Sequence, residues 1–434
     1  MARVTFSTMQ DTTMRYMQRN AGNLNKLEEQ ISSQQKINRP SDNPIGFTNA
    51  MNYRNILSAL GQQKVSMEDG EIYMNILETT HKNINSVFGR CQDLAVQAAS
   101  DTEKHQERLF TNMEIRELLE EMVSLAQTKH KDSYMFTGKW TNQPPYEIKS
   151  GAEGYIAGSP HIPYRAAPLT IPTSNPPPTN PDDPSPFEGT PPVTIQLFDR
   201  EYMDPNIRPQ PDHPMVQRII PGTVSGLNGL LEKSHLNDPE TEKADYEIDY
   251  VNGTITLLSN NAKAAFYDDN GDPIPNQDRP VITFDYIYRN SIDMSGEIYR
   301  EVSTGITMKI NTNPDDLFGK GGQGQTDSFK EIISLMQGLW YNDQPQINKS
   351  INELNTGRER NLELQAVEGA RQSRLATIYD RNWDLSINNT AARSALEDVD
   401  LTETLTDFAM ADAVYNASLQ AAARIMQKTL MDYL

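Results

Sequence analysis

Proline placement constrains this 434-residue chain more tightly than any short motif. No proline occurs from Ile45 to Gln143 or from Gln346 to Leu434, and 25 of the 27 prolines lie between Pro144 and Pro345. A proline inside a helix removes a backbone donor and clashes with the preceding turn, so the two proline-free stretches are free to form long helices and the middle is not. The expectation is an α + β multidomain chain, with N- and C-terminal helices paired in an antiparallel coiled-coil or helical-bundle rod and a mainly β head inserted between them. Composition puts the boundaries at 1–143 for the first helical arm, 144–328 for the proline-rich outer domain and 329–434 for the second arm, which pairs with the first.

Hydrophobic residues make up 37% of the chain, low for one large core, so part of the apolar surface must run in narrow stripes. Net charge is −20, and most of the acidic excess falls between Pro144 and Pro345. A field of that sign repels phosphate, which argues against nucleic acid and anionic membrane as partners. The single cysteine, Cys91, belongs to the helical series Ile84, Val87, Cys91, Leu94, Ala98, and a thiol in that setting is a small core residue. No apolar segment resembling a secretory signal opens the chain and no stretch reaches membrane-spanning length. The expectation is a protein that is cytosolic or exported with its N-terminus intact.

In the first arm Met17, Leu24, Leu27 and Ile31 recur at helical spacing, interrupted by Asn20. The pattern breaks at Asn38-Arg39-Pro40-Ser41-Asp42-Asn43-Pro44, where a side chain from Ser41 to Asn43 can cap the next helix and Pro44 fits its first turn. Tyr53, Leu57 and Leu60, then Val65, Ile72 and Ile76, then Ile115, Leu118, Met122 and Leu125 continue the period, and a bend near Ser100-Asp101-Thr102 separates two antiparallel helices. The second arm becomes helical from about Phe329. From Leu401, the positions Leu401, Leu405, Phe408, Asp412, Tyr415, Leu419, Ala422, Met426, Thr429 and Tyr433 alternate in steps of four and three, and Ala411, Val414, Ser418, Ala421 and Ile425 flank them. A helix apolar on more than one side needs more than one neighbour, so the end segments are expected to become fully ordered only against other subunits.

The middle reads as strands and loops. Residues 175–186 are a proline-rich irregular segment. Val193 to Phe198 alternates, Tyr246 to Leu258 reads as a hairpin with a primed turn at Asn252-Gly253, Val281 to Tyr288 is a strand, and Glu297 to Ile310 is a pair turning near Ser303-Thr304-Gly305.

Candidate chemistry is thin. Gly319 to Gly324 matches G-x-G-x-x-G, yet it follows a turn and lacks a βαβ unit, which fits a flexible joint better than a dinucleotide site. Asp268-Asp269-Asn270-Gly271-Asp272 lacks the spacing of a calcium loop, the six histidines are scattered, and no nucleophile–base pair stands out. The expectation is no catalytic residue, no cofactor, no metal and no enzymatic activity.

Both ends carry a resemblance. Gln30-Ile-Ser-Ser-Gln-Gln-Lys-Ile-Asn-Arg-Pro-Ser-Asp-Asn-Pro44 resembles the N-terminal signature of the flagellin and flagellar hook-associated protein family. Ala395-Leu-Glu-Asp-Val-Asp-Leu-Thr-Glu403, Tyr415 to Gln427 and the ending Leu430-Met-Asp-Tyr-Leu434 resemble its C-terminal signature. Within the family, Tyr134-Met-Phe-Thr-Gly138 and Val367-Glu-Gly-Ala-Arg371 are most similar to the branch that joins hook to filament, hook-associated protein 3. Gln34-Gln35 departs from the Thr/Ser-Gly pair usual in the family, and Asn43 stands where a second Asp is common.

The resemblance implies a structural adaptor outside the cell in the bacterial flagellum, exported through the type III apparatus without cleavage and assembled as a homo-oligomeric ring between hook and filament. Its partners would be the hook-side junction protein (hook-associated protein 1), flagellin or the filament cap, and an export chaperone at the C-terminal region. The expected assembly interface is Met17, Leu24, Leu27 and Ile31 with Leu401, Leu405, Phe408, Tyr415, Leu419, Ala422 and Met426. The signature turn is Arg39, Pro40, Ser41, Asp42 and Pro44. A flagellin with an enlarged outer domain is the alternative within the family. A head-borne carbohydrate-binding or enzymatic activity and a cytosolic coiled-coil scaffold are the alternatives outside it.

Overall fold

The computed structural model describes residues 6–100, 103–150, 187, 190–197, 215–227, 229–233, 243–268, 270, 272, 274, 282–290, 294–319 and 327–431. The proline-rich segment 175–186, positions 320–324 of the glycine-rich stretch, Asp269 and Gly271 of the acidic turn, Phe198, Val281, three of the histidines (His161, His213, His235) and the terminal 432–434 lie outside the described residues.

Helices occupy both ends of the chain and strands the middle. In order they are α1 (Phe6–Ser33), α2 (Pro44–Ala98), α3 (His105–Ala126), β1 (Lys129–His130), β2 (Ser133–Tyr134), β3 (Tyr146–Ser150), β4 (Val193–Gln196), β5 (Met215–Ile219), β6 (Tyr246–Asp249) and β7 (Thr254–Leu257). There follow α4 (Asn260–Ala264), β8 (Asp285–Arg289), β9 (Tyr299–Ser303), β10 (Ile306–Lys309), α5 (Pro314–Leu317), α6 (Ser328–Trp340), α7 (Gln344–Glu397) and α8 (Leu401–Met431). The 55 residues of α2 and the 54 of α7 realise the helices that the proline-free stretches permit. Pro44 opens α2 and Pro345 lies in the first turn of α7, the positions where a missing amide costs nothing.

The chain divides into two compact units. One comprises Met1–Glu68, Glu301–Ile306 and Leu375–Leu434; the other comprises Asp69–Arg300 and Thr307–Arg374.

In the second unit the three-stranded sheets are β3-β8-β5 and β4-β7-β6, both antiparallel, with β5 bulged between Val216 and Arg218. Four rings, Phe136, Tyr146, Phe318 and Phe329, form a contiguous aromatic cluster with centroids 4.9 to 5.8 Å apart. This explains the Tyr134–Gly138 motif in physical terms: Met135 to Gly138 are buried, and the Met135 carbonyl accepts the Tyr73 hydroxyl at 3.0 Å. Two antiparallel helices, α2 and α3, bury Ile84, Val87, Cys91, Leu94 and Ala98 as their spacing predicts. The Cys91 thiol is a core group, pushed up to about 12 by burial.

Three local expectations are corrected. Asn252-Gly253 is not a two-residue turn: Asp249 pairs with Thr254 across a four-residue loop in which Gly253 alone has φ +66°. The longer loop lets Tyr250 turn inward, where its hydroxyl donates to the buried Glu232 at 2.8 Å. Glu232 also accepts from the Tyr341 hydroxyl at 2.9 Å and the Trp340 ring N–H at 3.2 Å, which fastens the hairpin to the end of α6. In α2 the inward row is Gln63, Met67, Gly70, Met74 and Leu77, so Val65 and Ile72 face solvent. In α3 the buried row is Ile115, Leu119, Met122 and Ala126, with Leu118 and Leu125 at its edge. A stripe wider than one helical face offers several phases, and the neighbour selects one.

Helices α2 and α7 are joined in the second unit by buried polar groups. His81 presents Nδ1 to Asn361 Oδ1 at 2.5 Å and Nε2 to Glu368 Oε2 at 3.2 Å. Because Asn361 Nδ2 donates to the His81 carbonyl at 2.9 Å, its oxygen must face the ring. Nδ1 therefore meets an acceptor and Nε2 stands within ion-pair distance of a carboxylate, surroundings that favour the doubly protonated imidazolium. Burial works against that charge, and Glu368 with Asn361 outweighs it, holding the pKa above the ordinary imidazole value. Thr312 donates to the other oxygen of Glu368, so this residue of the Val367–Arg371 motif is a buried counter-ion.

Nearby, α7 approaches α6 so closely that a Cβ on Gly357 would stand 1.9 Å from Glu331 Oε2 and 2.9 Å from the Phe88 ring. Glu331 is itself buried, and burial, opposed by Arg360 at 3.3 Å, pushes its carboxyl up to about 8. Gly357→Ala should therefore destabilise the second unit by roughly 1–3 kcal/mol, the usual cost of overpacking a full core. Chemical denaturation followed by tryptophan fluorescence measures it, and an unchanged midpoint would refute the close approach.

Candidate assembly interface

The first unit is built on a seam between the two ends of the chain. Along α8, among the residues whose burial is described, the partly or fully covered positions are Thr404, Phe408, Ala411, Tyr415, Ser418 and Ala422, in unbroken steps of four and three. Along α1 the same period runs through Thr13, Met17, Asn20, Leu24, Leu27 and Ile31. A 3.5-residue repeat on both partners is the geometry of a coiled-coil seam. The helices run antiparallel, since the end of α1 and the start of α8 are tied together by a Gln35–Asp398 bridge.

That tie unites the two sequence signatures in space. The Lys36 amide donates to the Glu397 carbonyl at 2.6 Å and the Val399 amide to the Gln34 carbonyl at 3.2 Å. Glu397 is buried and paired with Arg54 at 2.8 Å. Asp400 then caps α8 by accepting the amides of Thr402 and Glu403 at 2.9 and 3.2 Å. The break between α7 and α8 had no proline to announce it; its signal in the sequence is Asp398-Val399-Asp400, two capping residues in a row of three.

In the turn that precedes α2, Asp42 is the organising group. It pairs with Lys26 at 3.0 Å and accepts the amides of Arg39 and Asn38 at 3.0 and 3.3 Å, and these contacts, Lys26 foremost, hold its carboxyl below the usual carboxylate range. Arg39 reaches back to Glu29 at 3.1 Å, and Asn43 Oδ1 caps α2 by accepting the Gly46 amide at 2.9 Å. Pro40, Ser41 and Pro44 are exposed. Gln34, where the family usually has its Thr/Ser-Gly pair, holds φ +57°. A left-handed residue with a Cβ is strained, so Gln34→Gly should stabilise the first unit by about 1 kcal/mol. A calorimetric scan that shows no gain would count against the strain.

The structure sorts the expected interface residues into two groups. Met17, Leu24, Leu27, Ile31, Phe408, Tyr415 and Ala422 line the seam within one chain. Leu401, Leu405 and Leu419 do not; they are 41%, 52% and 38% exposed, on one flank of the seam. Met410 and Val414 are exposed on the other flank. The Met426 side chain lies outside the described residues. Sequence spacing missed Thr404 as a seam position and placed Ala411 and Ser418 in the flanking row, because small and polar residues give a weak apolar signal. The resulting pair has an apolar row closed by its own partner and two more left open.

No helix among the described residues is long and apolar enough to cross a membrane. Residues 4–141 match the model of the bacterial flagellin N-terminal helical region. Among curated relatives, flagellin of Clostridium tyrobutyricum is 26% identical over 29% of this chain and 33% of its own length. Flagellin FlaB2 of Treponema pallidum is 26% identical over 30% and 46%. The flagellar filament 41 kDa core protein of Borreliella burgdorferi is 30% identical over 29% and 37%. The chain thus spans a third to under half of the length of these relatives. Two solved structures also align, the hook associated protein-3 of Legionella pneumophila (13% identity, 79% of this chain and 98% of that one, TM-score 0.37) and a protein of Xanthomonas campestris titled FlgL (12%, 78% and 97%, TM-score 0.34). The match to the flagellin N-terminal helical region thus falls on the segment that forms α1, the signature turn, α2 and α3.

Proposed function

We propose that this chain is a structural adaptor of the bacterial flagellum, the subunit of the junction ring between hook and filament. The observation that carries the proposal is the antiparallel pair α1 and α8, whose seam is closed within the chain while apolar rows on both flanks stay exposed. Such a surface is costly on a solitary protein and suits a subunit that is covered on two sides by neighbours. The Tyr134–Gly138 and Val367–Arg371 motifs favour the junction branch over the filament subunit. Residues 1–143 and 329–434 then act as one split assembly region, and 144–328 as the displayed insert.

On this proposal the neighbours are further copies of the chain, the hook-side junction protein, and flagellin or the filament cap. Export proceeds through the flagellar type III apparatus, with a chaperone holding the C-terminal region beforehand, and the protein has no enzymatic role. Helices α1 and α8 become fully protected from exchange only in the assembled ring; slow amide exchange along both in a dilute monomer would contradict this. Immunogold labelling of intact flagella decides between the two family readings. A band at the hook–filament boundary supports the junction, and label along the whole filament makes the chain a flagellin with an enlarged outer domain.

A further inference from the structure

On the same unit as the exposed row of α8 lies a notch between α2 and α7, with Leu57, Leu60 and Trp383 on its walls and Gly61 at an open point of its floor. A Cβ on Gly61 would meet nothing within 4 Å. Lys64 lines the notch: its Nζ lies 5.1 Å above the Trp383 ring and 3.8 Å from Glu68. The outer row of α8 has the opposite character. Leu401, Leu405, Asp412 and Leu419 fall within about 40° of one another on a helix of 3.6 residues per turn, so one carboxylate stands in the middle of three exposed leucines. The polar contact described for that carboxylate is the neutral Asn416 amide at 3.2 Å.

We propose that the Leu405–Asp412–Leu419 row of one copy docks into the Leu57–Trp383 notch of a second copy, with Asp412 meeting Lys64. This deepens the assembly role proposed above and rests on it. The two surfaces differ, so the contact is heterologous, the kind that propagates into a ring or a helical array instead of closing a dimer. The leucines supply burial, and a single ion pair inside an apolar contact sets the register, because any shift leaves each charge against leucine or tryptophan. Lys64 is already stripped of part of its hydration by the ring beneath it, which lowers the cost of closing the contact.

The test is complementation in trans, in a strain whose own copy is deleted. Lys64→Glu makes both surfaces of a copy acidic and Asp412→Lys makes both basic. Either variant alone should lower the fraction of filamented, swimming cells by about tenfold or more, since like charges in a closed contact cost several kcal/mol. Co-expressed, the two variants can sit side by side, and each contact between unlike copies again joins opposite charges; swimming should return. Gly61→Leu, whose Cβ has open space on its own chain, should fill the notch and block filaments without rescue by Asp412→Lys. Secreted variant protein with the parental melting temperature shows that folding and export are intact. Normal swimming in the single variants, or a loss that co-expression fails to restore, overturns the pairing and leaves the assembly role standing. Normal filaments after complete deletion of the chain overturn the assembly role itself.

Discussion

Cells whose only copy carries Leu405→Asp or Leu419→Asp should produce a folded, exported subunit and yet grow no filaments on intact hooks. Both leucines are exposed on the isolated chain, so a carboxylate there meets water and the melting temperature should stay within a degree or two of the parent. In an assembly the same carboxylate would be buried without a partner. The lost leucine contact alone is worth about 1.5–3 kcal/mol at each site, and the stranded charge adds to it. Repeated at every contact of a ring, that loss is enough to abolish the structure. Phe408→Asp and Tyr415→Asp provide the contrast, because these side chains lie in the α1–α8 seam. They should lower the stability of the first unit itself, measurable as lost helix content in the monomer. If Leu405→Asp and Phe408→Asp behave alike, either both filamented or both unfolded, the division of α8 into a closed seam and an open flank is wrong.

The second unit should lose stability as pH rises above 6.5, with the buried imidazolium of His81 and the carboxyl of Glu331 both contributing. The folded pKa of His81 lies above its unfolded value of 6.5, so its contribution is fully present below 6.5 and disappears as pH climbs through the folded pKa. Glu331 acts in the same direction for a different reason. Its folded carboxyl titrates at about 8 against 4.5 unfolded, so between those values the folded chain holds a proton that the unfolded chain has released, and stability falls as pH rises. Variants separate the two. His81→Leu leaves Glu368 buried without its counter-charge and should cost about 3–5 kcal/mol near pH 6, with a flatter pH profile above it. Glu331→Gln removes the other slope, and its melting temperature relative to the parent should rise progressively between about pH 4.5 and 8. A His81→Leu variant that keeps the parental slope above pH 6.5 would refute the imidazolium assignment.

Much of the architecture was legible in proline placement and helical period. The length of α2, its cap within Ser41–Asn43 and the burial of Cys91 all follow from local chemistry: where a donor can be spared, where a short polar side chain can accept an orphan amide, and which residues recur every three to four positions; the breaks that bound α7 were not read. Strands β3 and β5 were not read from sequence, because each acquires its pairing only from β8, far along the chain. The same is true of the Asn252-Gly253 turn, whose local preference for a tight hairpin yields to the burial of Tyr250 against Glu232.

Sequence by itself determined that both ends are helical, that they carry a shared signature, and that α8 has more apolar surface than one neighbour can cover. Only the tertiary structure decided which row of α8 meets α1 and which is left for another molecule, since a 3.5-residue repeat is compatible with adjacent phases and the choice depends on the partner's shape. Tertiary structure also showed that the two signatures, some 360 residues apart, meet as one backbone junction between Gln34–Lys36 and Glu397–Val399. Hydrogen bonds between segments so distant leave no local pattern to read, because each amide and carbonyl is chemically the same whichever partner it finds.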